Sequence, residues 1–178
     1  ILLADSPKTY KLIENIFSTL AECFSSVNVN IGMDEAHMLG LGRYKDLHGI
    51  KDRAQIMINH LKKVHEIAES YGFKCSMWSD MFFRLAFGGD YYNKNGEIPK
   101  KILKGLPRDV SLIYWDYYST DTQHYDSMIK QHKKFPNRII FAGGAWTWTG
   151  FAPHNSYSMQ TIKASLNACK KNKIKDYF

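Results

Sequence analysis

Short apolar segments at 27–32, 73–78, 110–115 and 138–142 alternate with stretches of helical periodicity. This alternation narrows the folds open to the chain more than any other feature. Strands joined by helix-length connections pair in parallel through right-handed crossovers. Ser6-Pro7 predicts a helix start, since proline suits the first helical position, and Leu12, Ile16, Leu20 and Phe24 follow at helical spacing. The segment from Asp52 to Tyr71 places Met57, Leu61, Val64 and Ala68 on one face, with Gly72 as its stop. After a looser stretch containing Gly88-Gly89 and Asn93 to Gly96, a short helix is predicted from Pro99 to Leu106. A helix over 121–135 carries Tyr125, Met128, Ile129 and His132 and ends before Pro136. A last helix, capped by Ser156, sets Met159, Ile162, Leu166 and Cys169 on one side.

At 178 residues the chain has the length of one domain with one substantial core. No apolar run is long enough to span a bilayer. The chain starts at Ile1 without a signal-peptide pattern and reads as a piece of something longer. Its formal charge of +7 comes largely from Lys62-Lys63, Lys100-Lys101, Lys133-Lys134 and the stretch Lys170 to Lys175. These fall on or just beyond helix faces and read as solvated surface, not a nucleic-acid footprint. Cys23, Cys75 and Cys169 lack metal-type spacing and read as reduced core residues of a cytoplasmic protein.

No Gly-x-Gly-x-x-Gly opens a helix, so a dinucleotide fold lacks its fingerprint. Polar and aromatic residues collect instead where each strand ends: Asp34-Glu35, Trp78-x-Asp80, Trp115-Asp116-Tyr117-Tyr118 and Trp146-x-Trp148. That is the layout of the active face of a (β/α)8 TIM-type barrel. A full barrel takes about 250 residues, so a partial barrel with four parallel strands and flanking helices is expected.

Asp34 and Glu35 are the sharpest signal. Neighbouring side chains on a strand point to opposite faces, so both acids serve one site only if the backbone leaves the pleat. Gly32 makes such a break cheap. The plain alternative is two acids placed in a first helical turn for its dipole. All four tryptophans at strand ends, with Asp80 and Asp116, favour a site: flat aromatic walls suit the C–H faces of a sugar and carboxylates its hydroxyls. In the third strand Trp115 and Tyr117 share one face, Asp116 and Tyr118 the other. His37 reads as a loop histidine bonded to backbone sooner than as a group that tunes Glu35, Arg43 and Tyr44 as a solvated loop sooner than as cleft lining, and Arg84 as a loop charge.

Asn30-Ile31-Gly32-Met33-Asp34-Glu35 resembles the strand-four signature of family 20 glycoside hydrolases, the β-N-acetylhexosaminidases. Trp78-Ser79-Asp80 and Tyr114-Trp115 resemble that family's fifth and sixth strand ends. The similarity runs in order from the helix after strand three to the helix after strand seven, treating 1–178 as part of one catalytic barrel. It implies a retaining, substrate-assisted hydrolase of terminal β-linked N-acetylhexosamine in glycans or glycoconjugates, with no metal or organic cofactor. Glu35 would be general acid and then base, and Asp34 would hold the acetamido N–H. Trp78, Trp115, Trp146 and Trp148 would surround the sugar, with Asp80 and Asp116 as hydroxyl ligands. The family's Tyr-x-Asp at strand seven is Trp146-Thr147-Trp148 here, leaving Tyr117 or Tyr118 to replace its tyrosine. Two other readings compete. Glu35, Asp80 and Asp116 end successive strands and would suit a divalent metal. A catalytically silent carbohydrate-binding barrel would keep the aromatic walls alone.

Overall fold

The computed structural model describes residues 2–178. In chain order the elements are α1 (Pro7–Cys23), β1 (Asn28–Asn30), α2 (Arg43–His48), α3 (Arg53–Ser70), β2 (Lys74–Trp78), α4 (Asp80–Ala86), α5 (Lys100–Gly105), β3 (Ser111–Trp115), α6 (Thr122–His132), β4 (Ile139–Ala142) and α7 (Asn155–Lys171). The strands form one parallel sheet in the order β1-β2-β3-β4. Val29 is opposite Cys75, Met77 opposite Leu112, and Tyr114 opposite Phe141. Sequential parallel order with intervening helices is the pattern of a barrel wall, and four strands make part of one.

Pleating sorts each strand into two faces. Cys75 and Met77, Leu112 and Tyr114, and Phe141 are buried in the main core. Trp78, Trp115 and Ala142 end their strands on the other face and line a cleft. The α3 stripe of Met57, Leu61, Val64 and Ala68 is buried as expected, and so are Tyr125, Met128, Ile129 and His132 of α6. Asp52 caps α3 by accepting from the Ala54 N–H at 3.0 Å, and Asp121 caps α6 from Gln123 at 2.9 Å. Gly72 adopts φ +81°, the left-handed turn that ends α3.

Several expectations are corrected. In α1 the buried residues are Thr9, Ile13 and Phe17, while Leu12 and Ile16 are each 47% exposed. Phe17 packs against Phe73, which selects that stripe, and leaves Ile16 and Leu20 to line an apolar groove beside β1. The first strand is a short edge with only Val29 half-buried, not a buried strand over 27–32. In α7 small residues (Ser158, Thr161, Ala164, Ser165, Ala168) are buried with Cys169, and Met159 is exposed. A close approach to α6 demands that smallness. Asp126 of α6 ties the two helices together, accepting from Lys171 at 3.0 Å and Asn172 at 2.7 Å. The start of α7 is not capped by Ser156: His154 is the N-cap, its N–H donates to Trp146 O, and Ser158 Oγ accepts from the Trp146 N–H.

The chain's last residues add a fifth segment to the sheet that the sequence reading did not anticipate. Phe141 donates to Asp176 O at 2.9 Å, Phe178 to Phe141 O at 3.1 Å and Gly143 to Phe178 O at 2.8 Å, in parallel register. Cys75 and Cys169 are buried, which pushes their thiols up to about 11, whereas Cys23 is exposed at the end of α1 and not in the core. The paired lysines at 62–63, 100–101 and 133–134 are exposed. No described helix is long and apolar enough to cross a membrane.

Candidate active site

The chain leaves the sheet immediately after β1. Ile31 still donates to Ser76 O, but Gly32 has φ +71°, Met33 +70° and Glu35 +45°. Two non-glycine residues in the left-handed region cost roughly 1–2 kcal/mol each, so the surroundings must hold them there. The break turns Asp34 and Glu35 to one place. Both line a cleft of about 320 Å³ with Trp78, Trp115, Tyr117, Tyr118, Ala142, Gly143 and Phe178. Asp34 also borders the apolar groove of about 420 Å³ beside β1. The Glu35 side chain is 56% exposed, so the described aromatic residues enclose it on one side only.

Asp80 supplies the restraint. It opens α4, is fully buried, and its Oδ2 accepts from the Glu35 N–H at 3.1 Å and from Arg84 Nε at 3.1 Å. Burial raises the Asp80 carboxyl above its ordinary range, opposed by the Glu35 N–H and Arg84. Asp80 therefore acts beneath the cleft and is not among the residues lining it. Arg84, expected as a loop charge, lies on α4 one turn after Asp80 and 3.8 Å from Glu35 Oε1. It also donates to Gly89 O at 3.1 Å and lies over the Tyr91 ring at 5.6 Å. The i,i+4 spacing of Asp80 and Arg84 was the signal for it, masked because 80–86 reads as a loop.

Of the third strand's end, Trp115, Tyr117 and Tyr118 reach the cleft and Asp116 does not. Regular structure stops at Trp115, which frees Tyr118 from the alternation. Asp116 is fully buried behind the sheet's rim, accepting from Tyr114 Oη at 2.7 Å and the Tyr118 N–H at 3.2 Å, with His124 Nε2 at 2.6 Å. It fixes the Tyr117–Tyr118 corner. Tyr91 lies under Trp115, ring centroids 5.1 Å apart, and donates to Trp115 O at 3.2 Å.

Trp146 and Trp148 stand beside the cleft. Trp146 Nε1 donates to Tyr117 O at 2.8 Å, and its ring meets Tyr118 edge-on at 5.3 Å. Trp148, 53% exposed, meets Tyr117 edge-on at 5.2 Å. Gly144 backs the same wall: a Cβ there would sit 2.8 Å from the Tyr117 ring. Phe178 faces Trp78 across the cleft at 6.3 Å and is a wall that sequence reasoning missed, since Tyr177-Phe178 follows a lysine-rich stretch without a strand pattern.

Tyr44 is buried away from this cleft, donating to Asp5 at 2.7 Å, and Arg43 lines another hollow with it. His37 serves through its backbone, its N–H donating to Glu35 O at 2.7 Å. Among the described residues no three His, Cys, Asp or Glu side chains are disposed to hold a metal. The Glu35, Asp80 and Asp116 set is split between the cleft, Arg84 and His124.

No protein-family model and no curated protein matches the chain. Solved structures do. A β-N-acetylhexosaminidase from Bacteroides fragilis is similar over 90% of this chain and 29% of its own, with 15% identity and a TM-score of 0.52. A family 20 β-N-acetylhexosaminidase from Streptomyces coelicolor is similar over 81% of this chain and 22% of its own, at 17% identity and a TM-score of 0.47. A family 20 exo-β-N-acetylglucosaminidase from Vibrio harveyi, in complex with N-acetylglucosamine, matches over 78% of this chain and 18% of its own, at 13% identity and a TM-score of 0.47. The chain thus spans less than a third of each of these proteins. The Bacteroides likeness shows a shared fold: these residues build part of the barrel architecture found there.

Proposed function

We propose that the chain carries the acid pair and part of the sugar pocket of a glycoside hydrolase that removes terminal β-linked N-acetylhexosamine. The observation that carries this reading is the break in strand geometry over Gly32 to Glu35, which turns both carboxylates to one aromatic cleft. The solved structure that shares the fold bears the name of a β-N-acetylhexosaminidase, which supports the same substrate class.

In the proposed reaction Glu35 gives its proton to the glycosidic oxygen as the C1–O bond breaks. The substrate's acetamido oxygen forms a new bond to C1 from the opposite face, giving an oxazolinium ion. Asp34 accepts the acetamido N–H and offsets the positive charge that develops on that group. Water then attacks C1, Glu35 takes its proton, and the ring opens to the β-product with net retention. Trp78, Trp115 and Phe178 offer faces for the C–H surfaces of the pyranose, and the Tyr117–Tyr118 corner offers hydroxyls.

The test is turnover of 4-nitrophenyl N-acetyl-β-glucosaminide and the matching galactosaminide by the intact protein. A thiazoline mimic of the cyclic intermediate is the inhibitor. Both turnover and strong inhibition are expected, with no loss on adding chelator. Equal turnover of the plain β-glucoside would remove the acetamido group from the reaction. Sugar binding without turnover would favour a silent binding barrel, and loss with chelator would favour a metal-dependent enzyme.

A further inference from the structure

Resting on that reading, we infer that Asp80 and Arg84 form a positioning clamp on Glu35, one holding its backbone and the other its carboxylate. A single buried oxygen, Asp80 Oδ2, accepts both the Glu35 N–H and Arg84 Nε, each at 3.1 Å. The first bond holds the peptide of a residue whose φ of +45° is otherwise strained. The second aims the guanidinium, which Gly89 O and the Tyr91 ring hold from two further sides. What remains of Arg84 faces Glu35 Oε1 at 3.8 Å, longer than a hydrogen bond and short enough for charge attraction.

The chemistry gives this contact a purpose. Glu35 starts its cycle protonated and ends the first step as a carboxylate. A fixed positive charge beside it stabilises the state produced by proton donation and keeps the anion aimed at the incoming water. Arg84 is only 20% exposed and Asp80 is fully buried, so the arrangement is preorganised and not a surface pairing that forms and breaks freely. A lone surface ion pair would contribute little. Here the buried carboxylate, the strained peptide and the guanidinium are linked through one oxygen atom.

The experiment compares Arg84→Gln, Arg84→Lys and Asp80→Asn with the intact wild-type protein, using aryl N-acetyl-β-glucosaminides of graded leaving-group ability. Arg84→Gln should lose roughly ten- to hundred-fold in kcat/KM for poor leaving groups, and only a few-fold for activated ones, with KM little changed. The alkaline limb of its pH profile should move to higher pH, and Arg84→Lys should restore part of both effects. Asp80→Asn should speed hydrogen exchange at the Glu35 amide, read by NMR without substrate. A uniform loss across leaving groups with an unmoved pH profile would overturn the role of Arg84. An unchanged Glu35 amide in Asp80→Asn would overturn that of Asp80. If the wild type turns over none of these substrates, the functional reading fails by itself. The clamp then stands or falls on the amide exchange and on whether Arg84→Gln raises the pH at which the Glu35 carboxyl takes up its proton.

Discussion

At Gly32 to Glu35 a few backbone torsions decide whether there is a site at all. An uninterrupted strand would send Asp34 and Glu35 to opposite faces of the sheet; the left-handed turn brings them together. This much was legible in the sequence, because adjacent acids after a glycine at a strand end have few other ways to share a pocket. The clamp beneath them was not, since a buried carboxylate cannot be told from a pocket carboxylate by residue type. The two acids should also fail differently. Asp34→Asn keeps the shape and loses the charge, so it should lower kcat by about 100-fold or more while KM stays within a few-fold. Glu35→Gln should lose most with poor leaving groups, which need the proton. Steady-state kinetics on one poor and one activated aryl glycoside separates the two patterns, and an unchanged kcat in Asp34→Asn would take that residue out of the reaction.

Among the elements, α6 holds a fully buried histidine whose titration is tied to folding. His132 is fully buried between Phe83 and Tyr114, with ring centroids at 4.3 and 4.4 Å. Its two nitrogens are occupied by Met128 O and Ser79 Oγ, each at 2.8 Å. Burial pushes the imidazole down from 6.5 to about 4, so the folded protein holds it neutral where the unfolded chain would protonate it. The stability this contributes is fully present above about pH 6.5. It falls as pH drops toward 4, by roughly 3 kcal/mol in all. Urea unfolding between pH 7 and 4 should show that decline, and His132→Gln should flatten it. Helix existence was readable from periodicity for α3 and α6, whose apolar stripes are single. It misled for α1, which has two competing stripes, and for α7, where the buried face is made of serine, threonine and alanine that no hydrophobic pattern marks. The short helix α4 was missed because Trp78-Ser79-Asp80 looks like the start of a loop.

The whole molecule is a parallel sheet with its main core on one face and an open cleft on the other. Parallel sheets are ordinarily covered on both faces, and here the inner surface at Trp78, Trp115 and Phe178, together with the groove beside β1, meets solvent. A polypeptide of these 178 residues alone should bind a dye such as ANS strongly and self-associate as its concentration rises. Fluorescence and light scattering would check both, and a dye-silent monomer would contradict the exposed face. Alternation along the sequence was enough to read the parallel pairing of the four strands, while the sheet's short edge and the parallel pairing of residues 176–178 depend on contacts that no local pattern encodes. The bare backbone at Gly144 has an effect on the cleft out of proportion to its size. Tyr117 rests where any side chain at 144 would have to stand. Substitution there works like a set screw that turns one way: it can advance the wall and narrow the cleft, and no residue smaller than glycine exists to let the wall retreat.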